Sequence, residues 1–169
     1  MNILMVVLRL VHIISGVFWV GAGLVMFFFI GPTLGATAEA GQKFAQHLML
    51  QTRFTAILTT SAILTVLAGF SLYWIDSDGL SSAWTHSGAG LGFAMGAFFA
   101  LIGFVFGAMV GSTNGALAKL GSQIQGKPTP EQLSQIGALR KRLSVISPLN
   151  AYALILATLL MAIARYLHF

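Results

Sequence analysis

The segment LRLVHIISGVFWVGAGLVMFFFIGP, Leu8 to Pro32, decides the fold class. Between Leu10 and Ile30 the only ionisable side chain is that of His12, so the stretch can cross about 30 Å of hydrocarbon as one helix. It lacks the alternation of polar and apolar residues that a membrane β-barrel requires. An open sheet would leave backbone groups unpaired in lipid. The stretch therefore predicts a transmembrane helix, with a break at Gly31-Pro32 and a further short helix from about Ala38.

Three further stretches of the chain have the same character: Ala56–Ile75, Gly88–Gly111 and Leu149–Leu167. The composition, 57% hydrophobic and 8% charged, is far from that of a soluble domain. We therefore predict an all-α integral membrane protein, with residues 1–169 forming one four-helix bundle in a lipid bilayer. Motifs of soluble enzymes, such as a phosphate loop or a nucleophile elbow, are missing from the sequence. The chain has no cysteine, which excludes disulfides and thiolate metal sites.

Positive charge is concentrated in two of the three connections between the predicted spans. The second connection, DSDGLSSAWTHS (Asp76–Ser87), has no lysine or arginine. The first and third hold seven of the nine basic residues: Lys43, Arg53, Lys119, Lys127, Arg140, Lys141 and Arg142. Basic loops face the cytoplasm, so we expect both termini and the second connection to be extracytoplasmic. The net charge of +5 then reflects orientation, and no nucleic-acid partner is expected.

Small residues recur along the third span with a spacing of mostly four. They are Gly88, Gly92, Gly96, Ala100, Gly103, Gly107, Gly111 and Gly115. Such a row lets helix backbones approach closely in a membrane. It predicts a packing groove, which could also accept a flat ligand or a second copy of the chain in a homo-oligomer.

One stripe of the first span combines polar and small side chains. Arg9, His12, Gly16, Trp19 and Gly23 are spaced by three and four residues, which places them on one helix face. Because ionisable groups at membrane depth normally face the bundle interior, we expect this stripe to point inward. Gly16 and Trp19 are then candidate cofactor contacts beside the imidazole.

The predicted topology brings His86 and Arg165 to the same outer layer as Arg9 and His12. Haem b is held by histidine, and its propionates suit arginine, which pairs with carboxylates through two parallel hydrogen bonds. Helix bundles build such sites from facing side chains. The layer therefore predicts a haem b site, with His12 and His86 as candidate iron ligands and the two arginines at the propionates.

The first span also resembles a known group. RLVHIISGVFWVGAGL is similar to the opening helix of the CopD-like and HemJ-like small bacterial membrane proteins, through His12-Ile13, Trp19 and Gly21. That group includes a haem b protoporphyrinogen oxidase and proteins linked to copper uptake. The resemblance implies a multi-pass protein of the bacterial inner (cytoplasmic) membrane, with the haem-linked histidine at His12.

The start of the third span matches the oxidase only in part. In WTHSGAG, Trp84 and His86 correspond to its pattern, but Gly88 stands where that enzyme has a lysine. The resemblance therefore implies haem binding more than that reaction, with His86 available as a second iron ligand.

Three functions remain open at this stage. The first is electron transfer or another membrane oxidoreductase role with haem b, with a quinone or other membrane redox partner. The second is a cofactor-free subunit of a larger membrane complex. The third is transport of copper or a small solute, for which histidine and methionine are suitable ligands, although all four acidic residues lie in loops.

Overall fold

The computed structural model describes residues 3–81, 83–124 and 126–168, and every regular element in these ranges is helical. Four helical rods are long and apolar enough to cross a membrane, Ile3–Ala36, Phe54–Asp76, Gly88–Gln123 and Pro130–Tyr166. This confirms the predicted all-α class and the four spanning helices. Their outward side chains are largely apolar, as at Phe18, Phe70, Val105 and Leu159, which suits a surface covered by lipid.

The rods divide into the following elements. The first comprises α1 (Ile3–Val25), a π-helical turn (Met26–Ile30) and α2 (Gly31–Ala36), and α3 (Ala38–Leu50) follows it. The others are α4 (Phe54–Asp76), α5 (Gly88–Gln123) and α6 (Pro130–Ile163), with 3₁₀ turns at Ala83–His86 and Ala164–Tyr166.

The bundle consists of two tightly packed antiparallel pairs, α1 with α4 and α5 with α6. Ile3, the connection between α4 and α5, and Tyr166 lie at one end of the bundle, here called the terminal end. The opposite end, called the basic end, holds α3 and the connection between α5 and α6. The pairs meet at a small core in which Trp19 of α1, Ala62 of α4 and Leu154 of α6 are buried and Phe104 of α5 packs against them.

The predicted break at Gly31-Pro32 is wrong, because the first rod continues to Ala36. Pro32 cannot donate a backbone hydrogen bond and would clash with the preceding turn of a regular α-helix. The π-helical turn before it absorbs this defect: the Gly31 N–H donates to the Met26 carbonyl, five residues earlier. The rod therefore widens locally instead of ending.

Glycines of α5 form the contact surface for α6. A Cβ added to Gly92 would lie 2.9 Å from the Ala164 Cα, and one added to Gly103 would lie 2.7 Å from Leu154 Cδ2. The predicted packing groove is thus confirmed, and it is occupied along Gly88–Gly107 by α6 and the residues that follow it, up to Leu167. Gly111 and Gly115, where an added Cβ would meet nothing within 4 Å, remain open.

The ends of the long helices are fixed by polar side chains. Ser87 caps α5 by accepting the Gly90 N–H, and Thr129 forms a capping box with Gln132 at the start of α6, as the sequence TPEQ suggests.

On α3, Glu39 pairs with Lys43 at 2.8 Å on the exposed surface. The hydrogen bond from Lys43 and its positive charge lower the pKa of Glu39.

Candidate functional site

His12 lies in the interface between α1 and α4. Its Nδ1–H donates a hydrogen bond to the Thr65 carbonyl over 2.8 Å. Since a carbonyl oxygen only accepts, Nδ1 must carry the proton, and in neutral imidazole Nε2 then holds a free lone pair. No hydrogen-bond partner of Nε2 occurs among the described residues. The imidazole is therefore oriented by α4 and available at Nε2.

Gly69 makes room for this ring. A Cβ at Gly69 would lie 2.7 Å from His12 Cε1 and 2.9 Å from Nδ1, so the imidazole packs directly on the α4 backbone. One turn away, Thr65 Oγ1 lies 2.8 Å from Ser15 Oγ, and a Cβ at Gly16 would lie 3.5 Å from Thr65 Cγ2. These contacts hold α1 and α4 in register around His12.

The other predicted ligands and arginines are placed at the terminal end. Arg9 lies on α1, where it is exposed, one turn from His12. His86 is also exposed, on the turn before α5, and its Nδ1 lies 3.0 Å from Thr85 Oγ1. Arg165 is also exposed, in the turn after α6. It lies at the same end, because Leu167, two residues later, packs against Gly88. The structure thus places Arg9 and His12 on one helix pair, and His86 and Arg165 at the terminal end of the other, with no hydrogen bond between the two sets in the described ranges.

Aromatic side chains join the two pairs at the terminal end. The Tyr73 hydroxyl of α4 donates to the Gly90 carbonyl of α5 over 3.3 Å. Trp84 packs against Tyr73 and stacks on Phe93, with ring centroids 5.3 Å and 6.3 Å apart. The space between α4 and the start of α5 is therefore occupied by rings.

The remaining members of the predicted stripe face other helices, as expected for an inward surface. Trp19 is 5% exposed and makes an edge contact with Phe104, with centroids 6.1 Å apart. Gly23 lies against α6, since an added Cβ would be 3.2 Å from Leu154 Cδ1. The sequence therefore predicted the inward face of α1 correctly from His12 to Gly23, whereas Arg9, one turn before His12, is exposed.

A cavity of about 910 Å³ opens between the two helix pairs toward the basic end. Trp19, Phe104 and Asn150 line its inner end, and Gln46 and Arg140 line it near the basic end. His12 is not among its lining residues. The cavity is thus distinct from the predicted haem layer.

Asn150 is the polar residue that sequence reasoning missed. It is 7% exposed, and its Oδ1 is buried without a hydrogen-bond partner among the described residues. The side chain lies between two glycines: an added Cβ would be 3.9 Å from its Nδ2 at Gly23 and 3.2 Å from its Oδ1 at Gly107. An amide inside the apolar stretch Leu149–Leu167 was the available signal, since polar groups within a membrane are expensive and often functional.

Within the described ranges, no group of three or more His, Asp or Glu side chains lies close enough together to hold a metal ion.

No family model matches the chain, and neither a curated protein nor a solved structure matches it significantly.

Proposed function

We propose that the protein binds haem b in the membrane and acts in electron transfer or membrane-linked redox chemistry, with His12 as an iron ligand through Nε2. The observation that carries the proposal is the hydrogen bond from His12 Nδ1–H to the Thr65 carbonyl. Metal-ligating histidines almost always donate their second ring N–H in this way, which fixes the tautomer and raises the basicity of the ligating nitrogen.

The positive charges at the terminal end suit the two propionates of haem b. Arg9 and Arg165 are exposed and make no salt bridge with any described carboxylate, so each is available for a propionate. When bound, haem would supply an iron centre that takes up and releases one electron. The chain would orient the ligand and neutralise the carboxylates.

His86 remains the candidate second ligand under this proposal. Its exposure on the turn before α5 leaves its ring accessible. A changed absorption spectrum in His86→Ala would assign it as a ligand, and an unchanged one would leave His12 as the protein ligand.

The test is the absorption spectrum of the detergent-purified protein, expressed with ample haem and recorded before and after dithionite. We expect a Soret band in the wild type and its loss in His12→Ala. His47→Ala is the matched control, because His47 is an exposed histidine on α3 at the basic end, away from Thr65 and Gly69. A colourless wild-type protein, or a Soret band that survives in His12→Ala, would contradict the proposal.

The competing functions have their own signatures. A cofactor-free subunit would be colourless and would co-purify with a larger complex. Copper handling would show metal-dependent uptake in vesicles. Among the described residues, no group of three or more His, Asp or Glu side chains could hold the ion. A homo-oligomer through the α5 row would have to use Gly111 and Gly115, since α6 occupies the row from Gly88 to Gly107.

The same proposal places the protein in a bacterial inner membrane, with the basic end in the cytoplasm. Its support is the distribution of lysine and arginine between the two ends, read by the positive-inside rule.

A further inference from the structure

The cavity near Asn150 has the dimensions of a ligand site. Its volume of about 910 Å³ is near the upper end of the range of about 300–1,000 Å³ for small-molecule pockets. It follows α5 from Phe104 to Ala118, which at 1.5 Å per residue corresponds to about 21 Å along the helix. The cavity is therefore elongated along α5.

Most of the wall is apolar or aromatic. Met26, Phe27 and Leu58 line the body of the cavity, and the Trp19 and Phe104 rings line its inner end. Gly107 lines the wall between the two rings and the Asn150 amide without presenting a side chain. A flat ring with an apolar tail matches this lining better than a round or charged molecule.

Asn150, at the inner end, also has a buried side-chain oxygen that lacks a partner among the described residues. Asn150 Oδ1 accepts no hydrogen bond from any described residue, and an unsatisfied buried acceptor is costly. Trp19 Nε1, which can only donate, would lie 3.9 Å from a Cβ at Gly107, and Asn150 Oδ1 would lie 3.2 Å from the same point. An acceptor and a donor therefore flank one glycine, and a hydroxyl group can satisfy both because it donates and accepts.

We propose that this cavity binds a lipid-soluble quinol. One ring hydroxyl would donate to Asn150 Oδ1 and accept from Trp19 Nε1, and the apolar tail would lie along the cavity. A plain acyl chain would leave the Asn150 acceptor unpaired. The proposal concerns binding alone and does not depend on haem, because His12 does not line the cavity.

The test compares a one-prenyl benzoquinol kept reduced with its dimethyl ether, which cannot donate a hydrogen bond and is larger by two methyl groups; the variants below separate the two differences. The chain has three tryptophans, so Trp74→Phe with Trp84→Phe leaves Trp19 as the fluorescent reporter of binding. In this background we expect the quinol to bind about tenfold more tightly than the ether, the ratio expected for one buried hydrogen bond.

Substitutions assign the difference to the amide. We expect Asn150→Leu to reduce the tenfold ratio to about one, and Asn114→Leu, at another lining position of the cavity, to retain it. If Asn150→Leu fails to fold, Gly107→Ala is the alternative variant. Its Cβ would lie 3.2 Å from Asn150 Oδ1, so it should also reduce the quinol-to-ether affinity ratio.

Two results would overturn the inference. One is equal binding of quinol and ether to the protein with Asn150 intact, which would mean that water or nothing pairs with the amide. The other is a ratio that persists in a folded Asn150→Leu protein. Neither measurement uses haem absorption. Failure of the quinol test therefore leaves the haem proposal intact, and a colourless protein can still be tested for quinol binding.

Discussion

The position of the His12 ring is set by one glycine on the neighbouring helix. The imidazole lies so close to the Gly69 backbone that any side chain at that position would overlap Cε1 and Nδ1. The hydrogen bond from Nδ1–H to the Thr65 carbonyl depends on this close approach. Gly69 is therefore a positioning residue for His12.

Gly69→Ala should move the imidazole away from the Thr65 carbonyl. Its Cβ would lie 2.7 Å from Cε1, a distance that real contacts do not reach, so the ring must shift. We expect the Soret absorbance per mole of protein to fall at least severalfold in Gly69→Ala. Gly21→Ala is the control, because an added Cβ there meets nothing within 4 Å. Equal haem content in the two variants would show that the ring position does not matter for binding.

For individual residues, the sequence predicts only one of the two partners in each contact. The spacing of His12, Gly16 and Trp19 on α1 predicts their inward face, and the structure confirms it for Trp19, which is 5% exposed. The partners Thr65 and Gly69 could not be predicted. The register between α1 and α4 is set by side-chain packing, which the spacing of residues along each helix does not determine. Asn150 could have been flagged as a lone amide in the fourth span.

Among the helices, α5 and α6 form the closest pair because glycine removes side chains from their interface. At Gly92 the neighbour is the Ala164 backbone, which cannot move aside as a flexible side chain can. Close backbone approach increases van der Waals contact, the main source of helix association in lipid. The glycine row therefore stabilises the fold inside one chain.

Gly92→Ala should destabilise the bundle, although alanine favours a helix more than glycine does. Its Cβ would lie 2.9 Å from the Ala164 Cα, and overpacking of this kind costs about 1–3 kcal/mol. Gly115→Ala, with no atom within 4 Å of the new Cβ, should instead be neutral or stabilising by up to about 1 kcal/mol. Unfolding in a denaturing detergent, followed by circular dichroism, measures both. A Gly92→Ala protein as stable as Gly115→Ala would rule out the close contact.

Element boundaries can be derived from the sequence where the capping chemistry is local, and not where a backbone defect is spread over several turns. The start of α6 follows from Thr129, Pro130 and Gln132, all within one turn. The continuation past Gly31-Pro32 depends on a π-helical turn in the preceding MFFFI segment, Met26–Ile30. Nothing in this apolar sequence distinguishes a π-helical turn from an α-helical one. The Gly-Pro pair was therefore interpreted as a break.

For the whole molecule, pairing α1 with α4 and α5 with α6 leaves two different ends. At the terminal end, the rings of Tyr73, Trp84 and Phe93 join the two helix pairs. The cavity between the pairs opens toward the basic end. The candidate haem ligand therefore belongs to one half of the bundle and the proposed quinol site to the other. Trp19 belongs to both the inward stripe of α1 and the inner end of the cavity.

The charge distribution predicts which end faces the cytoplasm. Because the natural chain has no cysteine, a single introduced cysteine reports its own side of the membrane. Ser81→Cys probes the connection between α4 and α5, and Ser134→Cys probes the first turns of α6, and both native side chains are exposed. If basic loops are retained inside, a membrane-impermeant maleimide should label Ser81→Cys in intact cells and Ser134→Cys only after permeabilisation. The reverse pattern would invert the topology and place His12 in the cytoplasmic half.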